Sequence, residues 1–186
     1  MQPLLVRTAD VPAQPWQNGG GITRELLACA GSGQWHVRVS VADVDADGPF
    51  SVFDGVERWF AVLAGNGVVL TVGSSEHRCT PDDDAFVFDG TATTACRLID
   101  GPTRDLNLML RGVHGAMARV VSGAAWQPRA RECGLYATAA GTVEADGGGA
   151  REAIPADALR WWADAPASLA FDGAGWWLRA DTGAAA

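Results

Sequence analysis

Hydrophobic and polar residues alternate one by one along short stretches of this chain, which is the pattern of half-buried β-strands. In residues 35–42 (WHVRVSVA), apolar residues occupy the odd-numbered positions, and positions 36, 38 and 40 are polar. In residues 104–111 (RDLNLMLR), every second residue is leucine, and the positions between the leucines include Asp105, Asn107 and Met109. No segment keeps the 3.6-residue period of a long helix. The pattern therefore predicts an all-β protein.

One arrangement of turn, strand and turn occurs twice. Gly67 begins an apolar stretch and is followed 14 residues later by Pro81, and Gly141 and Pro155 have the same spacing. The glycine-rich residues 146–149 then read as a hairpin tip inside the second copy and not as a linker. Such a repeat predicts two similar β units, and closing each sheet into a barrel would remove its exposed edges.

The composition agrees with short strands separated by frequent turns. Eight Trp, 23 Gly and nine Pro are spread over 186 residues, of which 48% are hydrophobic. That length and apolar content are enough for one compact core, so we expect the two β units to pack as one unit. The tryptophan pairs at 161–162 and 176–177 each direct one ring inward. The other ring is then available to a partner, which leaves a homodimer open.

The charge pattern excludes several classes of function. The net charge is −8, and all 14 basic residues are arginine. An acidic chain without a cluster of arginines and aromatics is repelled by a phosphate backbone, so we expect no nucleic-acid partner. The absence of lysine excludes Schiff-base chemistry and a P-loop.

The location that the sequence predicts is cytoplasmic. The first ten residues lack the basic leader and apolar core of a secretory signal, and no apolar run approaches the roughly 18 residues of a membrane helix. The four cysteines are scattered without a Cys-x-x-Cys pair, which favours reduced, buried thiols. We therefore expect no association with a membrane.

Three polar motifs follow one another in the first 111 residues. They are residues 16–25 (WQNGGGITRE), 47–51 (DGPFS) and 105–109 (DLNLM). In this order they resemble the motifs of the HutD/Ves family, bacterial proteins linked with histidine utilisation. The resemblance implies a bicupin, which has two antiparallel cupin-like β-barrel halves in one compact chain. Residues 1–114 would form the half that carries the motifs, and residues 115–186 would form a mainly structural half.

A pocket in the first half is the second implication of the resemblance. Alternation alone places the polar side chains of residues 35–42 and 104–111 on one face of each strand, and it favours a solvated outer face. The mixture of Met109 with polar residues on that face, together with the family motif positions, favours the inside of a barrel. The predicted ligand-binding residues are Asn18, Gly20, Thr23, Glu25, Arg38, Ser51, Arg58, Asp105 and Asn107.

The chemistry of these residues suits a small anionic metabolite. Arginine binds carboxylates, and asparagine both donates and accepts hydrogen bonds. An equally open alternative is structural, in which Arg38 or Arg58 pairs with Glu25, Glu57 or Asp105 and ties the sheet together.

Metal binding is not predicted. Many cupins hold a metal through His-x-His and a later Glu and His, whereas this chain has only His36, His77 and His114, widely spaced. We therefore expect no metal and no cofactor.

Two functional hypotheses from different classes remain. In the first, the protein binds a small carboxylated intermediate of histidine catabolism, urocanate or formiminoglutamate. It would sense or buffer this compound and so moderate the pathway. In the second, it is a metal-independent cupin enzyme, an isomerase, lyase or hydrolase of a small organic acid, with Glu25 or Asp105 as the catalytic base. The absence of a recognisable nucleophile or metal triad favours binding over catalysis. A purely structural interaction protein is a third hypothesis, although it leaves the polar residues without a purpose.

Overall fold

The computed structural model describes residues 4–30, 34–149 and 151–181, and this part of the chain contains no α-helix. The predicted all-β class is confirmed. In the same residues, no helix combines the length and the apolar character needed to cross a membrane. A 3-10 helix spans Thr8–Asp10, and the strands in chain order are β1 (Leu4–Arg7), β2 (Gln14–Pro15), β3 (Gly21–Ala30), β4 (Trp35–Val44), β5 (Gly48–Pro49), β6 (Val56–Ala64), β7 (Val68–Val72), β8 (Ser75–Cys79), β9 (Phe86–Asp89), β10 (Thr94–Leu98), β11 (Thr103–Arg111), β12 (His114–Arg119), β13 (Ala125–Trp126), β14 (Glu132–Ala137), β15 (Gly141–Ala145), β16 (Arg151–Ile154), β17 (Ala158–Trp162), β18 (Leu169–Phe171) and β19 (Gly175–Asp181).

Two compact units make up the chain. One is Pro12–Gly112, and the other combines Met1–Val11 with Val113–Ala186. This division differs from the predicted halves, 1–114 and 115–186, in its first residues. Strand β1 pairs antiparallel with β17, and the Thr8 amide donates to the Asp157 carbonyl at 2.8 Å. The first strand thus belongs to the second unit because its backbone groups find their partners there.

The unit Pro12–Gly112 contains a six-stranded sheet, β2-β3-β4-β11-β6-β9, and a four-stranded sheet, β5-β10-β7-β8. Neighbouring strands are antiparallel throughout. The apolar core includes Val44 and Phe60 from the first sheet and Leu70 and Cys96 from the second. The two sheets therefore face each other and bury their apolar side chains between them.

Strand β11 lies at the centre of the six-stranded sheet, between β4 and β6. Its register decides which polar residues are neighbours, because directly opposed residues project to the same side of a sheet. In this register Asp105 lies opposite Ala42 and Val62, Asn107 opposite Ser40 and Phe60, and Met109 opposite Arg38 and Arg58.

The second unit also has two antiparallel sheets, β1-β17-β14-β19-β12 and β13-β18-β15-β16. Its apolar core includes Leu135 and Trp177 from the first sheet and Val143 and Phe171 from the second. The glycine-rich stretch 146–149 lies between β15 and β16, at the position of the predicted hairpin tip.

The tryptophan pairs are more buried than expected. Trp176 and Trp177 are both 2% exposed, and Trp161 is 3% exposed. Trp177 stacks on Trp126 at 4.8 Å, and the Arg119 guanidinium lies 4.3 Å from the Trp176 ring centroid. The expectation that the second pair turns one ring outward was therefore wrong, because the chain itself covers both rings.

Candidate ligand-binding site

A cavity of about 520 Å³ lies within the unit Pro12–Gly112. Its walls come from alternate residues of β4, β6 and β11, from Thr23 on β3 and from the two segments that precede β3 and β6. On β4 and β11, the intervening valines and leucines are fully buried on the opposite face of the sheet. The residues from the predicted set that line the cavity are Asn18, Thr23, Arg38, Ser51, Arg58, Asp105 and Asn107.

Arg58 is a buried cation that has no carboxylate partner in the part of the chain that the structure describes. It is 6% exposed, and within that part its guanidinium donates to the Ser51 carbonyl at 3.3 Å and to Asn107 Oδ1 at 3.5 Å. Its Nε has no hydrogen-bond partner among the described residues. Burial, aided by the nearby charge of Arg38, lowers the pKa of Arg58 to about 10, so the side chain is charged at neutral pH. A buried charge that lacks a counterion is costly, which makes this position ready to accept an anion.

Three phenylalanine rings surround the Arg58 guanidinium. Its Cζ lies 5.3 Å from the Phe50 ring centroid, 5.6 Å from that of Phe53 and 4.9 Å from that of Phe88. Aromatic faces attract a cation and hold its plane, but they do not neutralise it. The rings therefore orient Arg58 while leaving its charge available.

Arg38, unlike Arg58, forms one of the structural ion pairs that the sequence left open. Its Nε donates to Glu25 Oε2 at 2.6 Å, which joins β4 to β3, and its Nη1 contacts Met109 Sδ at 3.3 Å. Arg38 lines the cavity, whereas the structure does not place Glu25 on the lining. The charge of Arg38 is thus already compensated within the protein.

Asp105 is the buried acid of the cavity. Its side chain is 0% exposed, Oδ2 accepts from Thr103 Oγ1 at 3.0 Å, and Oδ1 has no hydrogen-bond partner among the described residues. Burial raises the pKa of Asp105 to about 7; Asp43 adds to this rise, and the Thr103 hydrogen bond opposes it. Asp105 can therefore exist with or without its proton near neutral pH.

The triple glycine shapes the segment that carries Asn18. Gly19 has φ +72°, which favours glycine, and a Cβ on Gly21 would lie 2.5 Å from the Asp43 carbonyl oxygen, which leaves no room for a side chain. The Gly20 amide donates to Asn18 Oδ1 at 3.1 Å, and this holds the Asn18 side chain. Gly20 itself, although predicted as a ligand contact, does not line the cavity.

Several lining residues were absent from the predicted set. Trp16, Phe50, Phe53, Ser40 and Met109 all line the cavity. Trp16 packs edge-on against Phe50 at 5.9 Å, and its Nε1 donates to Thr23 Oγ1 at 2.7 Å. Trp16 and Phe50 lie inside the polar motifs 16–25 and 47–51, and their place in these motifs could have identified them as lining residues.

The cavity lining does not fit a transition metal. It includes neither histidine nor cysteine, and Asp105 is its one acidic member. The histidines lie elsewhere in the described chain: His36 on β4, His77 on β8 and His114 at the start of β12. The His77 ring packs against Phe86 at 4.2 Å. The arrangement can instead hold an anion against Arg58 and donate or accept hydrogen bonds through Asn107, Ser40 and Thr23.

Comparison with known proteins bears on the motifs that frame this cavity. The family model described as HutD matches residues 8–178. The chain belongs to the HutD family. It is 40% identical over 109 residues to an uncharacterized 21.2 kDa protein in the hutC 3' region of Pseudomonas putida, and this match covers 56% of either chain. It is also 31% identical over 137 residues to protein Ves of Citrobacter koseri, which covers 63% of this chain and 71% of that one.

Solved structures agree with the family and the fold. HutD from Pseudomonas fluorescens SBW25 is 28% identical, with a TM-score of 0.84 over 96% of this chain and 98% of that one. Two enzymes resemble this chain in fold but have little sequence identity to it. The first, a variant of Bacillus subtilis oxalate decarboxylase OxdC, is 10% identical, with a TM-score of 0.64 over 98% of this chain and 78% of its own. A variant of 2-hydroxyethylphosphonate dioxygenase is 11% identical, with a TM-score of 0.67 over 97% of this chain and 78% of its own. The HutD-family protein is thus an all-β protein with a cupin-like fold.

Proposed function

We propose that this HutD-family protein binds a small carboxylated metabolite in the cavity of its unit Pro12–Gly112. The observation that carries the proposal is Arg58 on the cavity wall, a buried and charged guanidinium that has no counterion among the residues the structure describes. A carboxylate would supply the missing charge and would bond to the planar guanidinium. The cavity volume of about 520 Å³ falls within the range of small-molecule sites.

The metabolite we propose is an intermediate of histidine catabolism, urocanate or formiminoglutamate. The family link with histidine utilisation supports this choice, as does the relative from the hutC region. The aromatic walls formed by Trp16 and Phe50 suit a flat, unsaturated ligand such as urocanate. The protein would sense or buffer the compound and so moderate the pathway.

Within this proposal the two units are the halves of a bicupin, as the family resemblance implies. Each unit contains one larger and one smaller antiparallel sheet around its own apolar core. The cavity described above belongs to the first of them, which supports a functional half and a structural half.

A second candidate function is metal-independent catalysis on a small organic acid. Asp105 favours it, because a cavity carboxyl with a pKa of about 7 could accept or return a proton. Glu25 is less suited to act as the base, because it is paired with Arg38 and lies off the cavity lining. Conversion of urocanate or formiminoglutamate by the purified protein, lost in Asp105→Asn, would favour the enzyme over the binder.

Calorimetric titration with urocanate and formiminoglutamate tests the binding proposal. We expect the wild-type protein to bind at least one of them and Arg58→Met to bind it about tenfold to a hundredfold more weakly, because a charge-assisted hydrogen bond contributes about 1.5–3 kcal/mol. Arg97→Met is the matched control, since Arg97 is exposed on β10 and lies off the cavity lining.

The melting temperature separates this role from a structural one. Arg58→Met removes an unpaired buried charge and keeps an aliphatic side chain, so we expect no loss of stability. Equal affinity in Arg58→Met and wild type, or a large fall in melting temperature without a change in affinity, would contradict the proposal.

A further inference from the structure

Asp105 is a buried ionisable group of the cavity that the proposed contact with Arg58 does not use. It lies on β11, on the same face as Asn107, and the structure places both on the cavity lining. Its Oδ1 is buried and has no hydrogen-bond partner among the described residues, while Oδ2 accepts from Thr103. A carboxylate held in this way is poorly solvated, so its charge is sensitive to any other charge that enters the cavity.

No ion pair to Asp105 is present among the described residues around it. Asp43 on β4 is acidic and raises the pKa of Asp105. Burial raises the thiol pKa values of Cys79 on β8 and Cys96 on β10 to about 11 and 12, and the charge of Asp105 adds to both rises. Both thiols therefore remain protonated. On β4, Arg38 is engaged by Glu25.

Arg58, from β6, and Asp105 lie on the lining of the same cavity, together with Asn107. The Arg58 guanidinium contacts Asn107 Oδ1 at 3.5 Å. Asn107 is two residues from Asp105 on the same strand face, a separation of about 7 Å. A carboxylate bound at Arg58 would therefore share the cavity with Asp105, and charges act strongly on a carboxyl that is buried from water.

We infer that binding of a carboxylate at Arg58 is coupled to the uptake of one proton by Asp105. The inference rests on the proposed function, because it needs the anion at Arg58. The anion cancels the positive charge of Arg58 and repels the Asp105 carboxylate, so Asp105 takes a proton from the solvent and becomes a neutral carboxylic acid. The carboxylate and one proton are therefore bound together, and the affinity for the carboxylate falls as the pH rises.

The pKa of Asp105, about 7 in the unliganded protein, sets the pH range of the effect. At pH 6 most molecules already carry the proton, so binding needs little proton uptake. At pH 8 most Asp105 side chains are ionised, and each binding event must first protonate one. The expected loss of affinity between these two pH values is about fivefold to tenfold.

Formate is the probe for this coupling, because it stays ionised throughout the range. Its dissociation constant is measured at pH 6 and pH 8, at constant ionic strength, by NMR chemical-shift titration of wild type and Asp105→Asn. We expect wild type to bind formate about fivefold to tenfold more weakly at pH 8. Asp105→Asn should bind formate with the same dissociation constant at both pH values. Because the two proteins differ only at residue 105, the comparison isolates Asp105.

A second readout is the carboxyl ¹³C titration of Asp105, whose midpoint should move to higher pH when formate is present. A pH-independent wild-type affinity, or the same pH dependence in Asp105→Asn, would overturn the coupling and leave carboxylate binding intact. Failure of both proteins to bind formate at pH 6 would overturn the proposed function and, with it, the coupling.

Discussion

At the scale of single residues, burial has different effects on the charged forms of two side chains in the same cavity. Arg58 keeps its charge and lacks a counterion, whereas Asp105 is so deeply buried that its ionised form is disfavoured. Arg38, by contrast, is compensated by Glu25. The difference arises from position, because Arg38 and Glu25 meet across neighbouring strands, whereas the hydrogen-bond partners of Arg58 among the described residues are neutral. An anionic ligand at Arg58 would supply the negative charge that Glu25 supplies to Arg38.

The stability of the protein should depend on pH through Asp105. The unfolded chain releases this proton near the ordinary value of 3.8, but the folded protein holds it until about pH 7. Between these values the unfolded state binds fewer protons, so the wild-type free energy of unfolding falls as the pH rises. Asp105→Asn lacks this carboxyl. Its stability relative to wild type should increase from pH 4 to pH 7, by up to about 4 kcal/mol, and then remain constant.

Scanning calorimetry at pH 4, 5.5, 7 and 8 measures this difference. Asp47→Asn is a suitable control, because Asp47 is exposed and accepts a hydrogen bond from the Leu98 amide. A difference between Asp105→Asn and wild type that stays constant or narrows over this range would show that Asp105 is ionised in the folded protein.

At the scale of elements, the start of β3 shows why the glycine motif is tied to backbone geometry. Gly21 pairs with Val44 of β4, and a side chain there would collide with the Asp43 carbonyl oxygen. Gly20 has ordinary space for a Cβ, with Asn18 Oδ1 at 3.4 Å and the Ala46 carbonyl oxygen at 3.6 Å. Gly21 is therefore needed for the close approach to the Asp43 carbonyl, whereas the position of Gly20 has room for a Cβ.

Alanine substitutions test this distinction. Gly21→Ala should lower the free energy of unfolding by about 1–3 kcal/mol, because backbone or strand pairing must shift to make room. Gly20→Ala should change it by less than about 0.5 kcal/mol and leave ligand affinity unaltered. Urea denaturation of both variants gives the comparison. Equal losses of stability would indicate that the turn, and not the approach to Asp43, needs these glycines.

At the scale of the whole molecule, the sheet order connects distant parts of the chain. Strand β1 forms the edge of the five-stranded sheet by pairing with β17, with Leu4 opposite Trp161. Thr8 Oγ1 also lies 3.1 Å from the Tyr136 hydroxyl, which is buried. The beginning of the chain thus completes the sheet of its second unit.

Removing residues 1–7 should expose the edge of β17. We expect faster hydrogen exchange in residues 158–162, because β1 no longer covers their backbone groups. Removal of residues 1–3 alone is the control, since it leaves β1 in place. Similar exchange in the two truncated proteins would mean that β1 contributes little to this sheet.

The candidate site was only partly predictable from the sequence. Alternation along residues 35–42 and 104–111 places Arg38, Asp105 and Asn107 on shared faces, and the structure brings these faces together at the cavity. Gly20 and Glu25 share the same motifs but lie off the lining. The aromatic surroundings of Arg58 come from three separated segments of chain, so no local pattern could show them.

By itself, the sequence determined the all-β class, the alternating strands at residues 35–42 and 104–111 and the family, because these depend on local periodicity, turn residues and motif order. Only the tertiary structure decided which arginine is neutralised, which acid is buried and which unit receives β1. Those outcomes depend on strand register and on the pairing of segments far apart in the chain. Charge compensation and desolvation are properties of such long-range contacts, since they depend on what lies within a few ångströms in space.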